Sequence, residues 1–129
     1  MRKLGALTFA ALAAAVILVS ALPAAAGGGP EVRRSGNCQG ATDWKLKLKL
    51  DDNRIETEFE VDQNRNGQRW RVVLRRDGHR FFRGVRTTHA PSGSFSVERR
   101  PRNHPGPDRI TARAVNLQSG EVCRGAATI

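Results

Sequence analysis

The chain has 129 residues, with 22 Lys plus Arg against 12 Asp plus Glu and a net charge of +10. That length reads as a single domain. The charge favours polyanionic partners and solubility but carries no information about fold.

Met1-Arg2-Lys3 is a short positive segment, followed by an apolar or small run from Leu4 to Leu22. Pro23-Ala24-Ala25-Ala26 closes that run with small residues suited to cleavage before Gly27. This is the three-part layout of a secretory signal peptide over residues 1–26. A membrane anchor is the competing reading, because a bilayer needs about 20 apolar residues. The alanine-rich run and its end at Pro23 argue for cleavage, and no cysteine at the cut offers a site for a lipid. Cleavage removes Arg2 and Lys3 and leaves 103 residues with a net charge of +8. A chain of that size buries roughly 60–70% of its unfolded surface, so it folds alone but with little margin. Export in turn favours pairing the two cysteines, Cys38 and Cys123, in an oxidising compartment.

Residues 27–37 read as a flexible lead-in, and residues 38–129 as the domain. From Trp44 onward the hydrophobic period is two, the mark of half-buried strands. Trp44, Leu46, Leu48 and Leu50 share one face of the first strand, opposite Lys45, Lys47 and Lys49. In the second, Ile55, Thr57, Phe59 and Val61 alternate with Glu56, Glu58, Glu60 and Asp62. A two-residue turn at Asp52-Asn53 sets Leu46 opposite Phe59 and Trp44 opposite Val61. It also aligns Lys49, Lys47 and Lys45 with Glu56, Glu58 and Glu60, and a one-residue slip would set lysines against the apolar face. Asn66-Gly67 permits a direct hairpin into the third strand, around Trp70, Val72 and Leu74. The other layout, preferred here, has residues 63–69 cross between two sheets. Asp77-Gly78 is a type I′ turn signal into a fourth strand over Arg80–Arg86. Phe95 and Val97 mark a fifth strand, Ile110, Ala112 and Ala114 a sixth, and Glu121–Thr128 a seventh. About seven short antiparallel strands without helix predict an all-β sandwich.

Ile110-Thr111-Ala112-Arg113-Ala114-Val115-Asn116 with Gly120 resembles the penultimate strand and turn of fibronectin type III and related immunoglobulin-like domains. Trp70 on a central strand is similar too, and the likeness covers roughly residues 38–129. It implies an immunoglobulin-like sandwich and no functional residue. The chain departs from the pattern in lacking tyrosine, and Asp108 stands where that strand usually begins with an aromatic residue. Its expected Cys38–Cys123 bridge also ties the lead-in to the last strand rather than joining two central strands. Taken whole, the chain also resembles small exported actinobacterial proteins, which implies location but no activity.

No catalytic, metal or cofactor motif stands above its simpler explanation. Asp62-Gln63-Asn64-Arg65-Asn66-Gly67 opens like a calcium loop, yet Val73 occupies the position of the bidentate glutamate, and an Asx turn explains the segment better. His79, His89 and His104 lie in separate loops without zinc-site spacing. Ser92, Ser94, His89 and Asp108 lack the strained elbow of a nucleophile, and Glu56, Glu58 and Glu60 match lysines across the strand. The sharpest candidate is an anion-binding patch of Arg75, Arg76, His79, Arg80, Arg83 and Arg86, since guanidinium forks suit phosphate, sulfate and carboxylate. Arg99, Arg100, Arg102 and Arg109 form a second basic group. Trp44 and Trp70 fall in the core-facing phase, which argues against carbohydrate binding on exposed aromatics. The sequence therefore predicts an exported, monomeric, non-enzymatic module that binds an anionic polymer or another extracellular protein. The alternative is an inhibitor of secreted hydrolases, using Thr87–Ser94 or Pro101–Pro107 as a wedge.

Overall fold

The computed structural model describes Gly5 and residues 29–129. The expected signal segment and its cut therefore lie outside the described residues, Gly5 excepted. Eight strands form the domain: β1 (Glu31–Asn37), β2 (Asp43–Asp51), β3 (Arg54–Asp62), β4 (Arg69–Arg76), β5 (His79–Thr87), β6 (Ser94–Arg99), β7 (Arg109–Asn116) and β8 (Val122–Thr128). They make two four-stranded antiparallel sheets, ordered β1-β2-β3-β6 and β5-β4-β7-β8. The all-β sandwich expected from the period-two pattern is present.

The β2–β3 hairpin has the register read from the sequence, with Trp44 opposite Val61 and Leu46 opposite Phe59. Asp52 and Asn53 both take positive φ, as a two-residue type I′ turn requires. Asp77 and Gly78 do the same between β4 and β5. Residues 63–68 cross between the sheets, so β3 and β4 do not pair. The crossing is anchored by backbone bonds from Gln63 to Gly93 and between Gly67 or Gln68 and Thr88. The Gln63 side chain accepts the Trp70 indole N–H at 3.0 Å, which satisfies the one polar atom of a fully buried ring.

The lead-in reading needs correction over Glu31–Asn37. This segment is the edge strand β1, paired along its whole length with β2. Its sequence looks like a loop because only Val32 is apolar, and an edge strand needs little more. Gly36 lets the Trp44 ring approach within 2.9 Å of the place a Cβ would occupy, and Gly125 of β8 meets the same ring from the other side. Trp44 thus fills the seam where β1 and β8 come together.

Leu46, Leu48 and Phe59 from one sheet meet Trp70, Val72, Leu74 and Ile110 from the other in a fully buried core. The Cys38–Cys123 disulfide closes the β1/β8 side. Closing a span of 85 residues contributes about 4–5 kcal/mol on the chain-entropy model. Around it, the Glu121 carboxylate accepts bonds from the Gly40 N–H at 2.8 Å and the Thr42 hydroxyl at 2.7 Å. Among the described residues, no helix is long and apolar enough to cross a membrane.

Candidate anion-binding face

Strand alternation gives each sheet a core side and an outer side, and the two outer sides differ sharply in charge. The strands of the β1-β2-β3-β6 sheet contain eight acidic and seven basic residues. On its outer face Lys45, Lys47 and Lys49 stand opposite Glu60, Glu58 and Glu56, and Lys47 reaches Glu58 at 3.9 Å. The strands of the β5-β4-β7-β8 sheet contain ten arginines and no acidic residue.

Eight of those ten arginines lie on the outer face. β4 contributes Arg69, Arg71 and Arg75, which alternate with buried Trp70, Val72 and Leu74. β5 adds Arg80 and Arg83. β7 adds Arg109 and Arg113 in alternation with Ile110, Ala112 and Ala114, and β8 adds Arg124. Cross-strand registration sets Arg113 opposite Arg124 and Arg75 opposite Arg80. Directly opposed like charges destabilise a sheet by some tenths of a kcal/mol up to about 1 kcal/mol. Among the described residues, none of the eight guanidinium groups has a carboxylate partner.

The six residues singled out in the sequence separate in space. Arg75, Arg80 and Arg83 stand on the outer face, while His79 is exposed at the hairpin end opposite Arg76. Arg76 turns inward. Its Nη1 donates to the Arg102 carbonyl at 2.7 Å, and its Nε stands 4.0 Å from the Asp108 carboxylate, which is fully buried. Arg76 is thus a structural cation, in phase with Trp70, Val72 and Leu74. Arg86 lies in the core-facing phase of the edge strand, with its guanidinium 5.1 Å from the centre of the Phe82 ring. Arg99 of β6 stacks on the same ring at 4.4 Å, so these two arginines cover the sheet seam.

The second basic group disperses as well. Arg100 pairs with Asp51 and Glu56 at 3.2 and 3.8 Å, and only Arg109 joins the arginine face. Sequence proximity missed Arg113 and Arg124, which reach the site through the β4–β7 and β7–β8 pairings. Their signal was available in the outward phase of the Ile110, Ala112, Ala114 and Cys123 alternation.

A depression of about 320 Å³ opens on this face, lined by Arg75, Arg109, Arg113 and Arg124 around Thr111 and Ala126. Two larger ones, of about 450 and 370 Å³, lie against the other sheet, but each mixes Lys or Arg with Glu. Size alone would favour those two. Uncompensated charge favours the smaller one.

The remaining sequence candidates take ordinary structural places. Asp62 Oδ1 accepts the Asn64 N–H at 3.2 Å in an Asx turn, and no group of three potential metal ligands occurs among the described residues. Ser92 and Ser94 bond each other at 2.6 Å, His89 Nδ1 faces the Ala90 carbonyl, and Asp108 is held by Arg76 and the His104 N–H. The serines, His89 and Asp108 therefore form no relay. No protein-family model, curated protein or solved structure matches this chain.

Proposed function

We propose that this protein is an exported, non-enzymatic β-sandwich module that binds an anionic extracellular or cell-envelope polymer through the outer face of the β5-β4-β7-β8 sheet. One observation carries the reading: ten arginines and no acidic residue in that sheet, eight of the arginines outward without a carboxylate partner. On the opposite sheet the lysines stand across from glutamates and Lys47 pairs with Glu58, so this fold accommodates charge pairing. Leaving one face unpaired costs stability, and a polyanion recovers that cost through charge-assisted bonds and counterion release.

Export is supported by the signal-like layout of residues 1–26 and by a disulfide that an oxidising compartment would preserve. The likeness to immunoglobulin-like domains draws support from strand order. β2-β3-β6 follows the A-B-E order of such sandwiches and β4-β7-β8 the C-F-G order, with β5 added beside β4. The wedge-loop alternative draws less support. Gly93 is buried against the backbone of Asn64 and Arg65, and Asn103 is bonded to Asn53, so both loops are pinned to the sandwich and expose only the short stretches His89–Ser92 and His104–Pro107 together with Thr87 and Arg102.

The test is retention on immobilised heparin and on an anionic cell-wall polymer across a salt series. The wild type should be retained with a steep salt dependence, and Arg75→Gln/Arg80→Gln/Arg83→Gln/Arg113→Gln should elute much earlier. Equal retention of the two proteins would refute the reading.

A further inference from the structure

The arginine face is not uniform. Thr111 and Ala126 sit opposite each other on β7 and β8 and present only small side chains outward. Arg109 and Arg113 flank Thr111 along its own strand, each about 7 Å away at two residues' spacing. Arg75 stands opposite Thr111 from β4, and Arg124 flanks Ala126 on β8. Four guanidinium groups therefore surround a floor with little side chain on it, at the margin of the sheet where β8 is the last strand. Elsewhere on the face Val73, Val85 and Val115 stand between the arginines and fill that space.

We infer that this depression is a subsite for a single phosphate monoester group, the end or side group of the polymer bound by the whole face. The inference rests on the polyanion reading and adds a ligand class to it. A monoester phosphate carries three strong acceptor oxygens and a charge of about −1.5 to −2 at neutral pH. Four arginine forks and the Thr111 hydroxyl supply donors from several directions, more than the two oxygens of a carboxylate can use. The small floor lets the anion settle among the forks rather than above them. A flat arginine array would bind any polyanion by charge density alone, whereas this arrangement distinguishes phosphate from carboxylate.

The experiment is titration of the full domain with ethyl phosphate, followed by calorimetry and by shifts of the backbone amides of β7 and β8. The control ligand is malonate, a dicarboxylate of similar charge. Saturable binding of ethyl phosphate, at least about tenfold tighter than malonate, is expected. Affinity should rise from pH 5 to pH 7 as the phosphate loses its second proton near pH 6. Ala126→Leu fills the floor without changing any charge. It should weaken ethyl phosphate about tenfold and leave heparin retention nearly intact. Arg109→Gln should weaken ethyl phosphate comparably and serves if Ala126→Leu fails to fold. Equal affinity for the two ligands, or unchanged phosphate binding in either variant, would overturn the subsite. If heparin retention persists in that case, the polyanion reading stands without it. Saturable phosphate binding in a protein not retained on either polymer would overturn the polyanion reading instead.

Discussion

The two outer faces of this sandwich are built on the same strand geometry yet use charge in opposite ways. On β2 and β3, three lysines stand opposite three glutamates across the hairpin, Lys47 pairing with Glu58, and the alignment favours the observed register. On β4, β7 and β8, outward arginines face arginine, valine or threonine, and no acid is within the strands of the sheet. The first pattern is what stability favours. The second costs stability, and under the proposed function an anionic polymer supplies the missing negative charge.

The comparison can be broken most drastically by separating the sheets. Cys38→Ala/Cys123→Ala should lose about 4–5 kcal/mol in urea unfolding, because the bridge closes the side where β1 meets β8. A loss below about 1 kcal/mol would mean that the Trp44 seam and the Glu121 bonds hold the sheets without it. Next in size is the buried end of the arginine sheet. Asp108→Ala leaves Arg76 without its carboxylate and should cost about 3 kcal/mol, the penalty for orphaning a largely buried charge. Arg76 and Arg113 should therefore respond oppositely to neutralisation: Arg76→Gln destabilises, whereas Arg113→Gln does not.

Smaller effects sharpen the contrast further. Arg113→Glu gives Arg124 an opposite charge across the strand and should raise stability by some tenths of a kcal/mol up to about 1 kcal/mol. The same change should reduce heparin retention. A variant gaining stability while losing binding is the signature of a face retained for function. Lys47→Gln on the paired face should do the reverse on a lesser scale. It should cost about 0.5 kcal/mol or less, as expected for a half-exposed pair, with retention unchanged.

Much of the fold was legible because local pattern and charge agreed. Alternation in β2 and β3 defined the core face, the lysine–glutamate ladder excluded a slipped register, and Asp52-Asn53 supplied the turn. β1 escaped notice because Glu31–Asn37 buries almost nothing of its own, and its place depends on the Leu48 and Trp44 backbone it pairs with. The site was legible only in part, for a similar reason. Arg75, Arg80 and Arg83 lie within one hairpin, but Arg113 and Arg124 arrive through pairings that no local pattern specifies. The inward turn of Arg76 follows from its phase with Leu74, yet its partner Asp108 lies 32 residues further along the chain.

The most direct measurement compares two variants of equal charge change. Arg75→Gln/Arg113→Gln/Arg124→Gln and Lys45→Gln/Lys47→Gln/Lys49→Gln each remove three positive charges, one set from each face. If the unpaired face is the binding surface, the arginine variant elutes from heparin at much lower salt while the lysine variant elutes near the wild type. Equal shifts in the two variants would show that net charge alone governs retention, and would contradict the assignment of binding to the β5-β4-β7-β8 face.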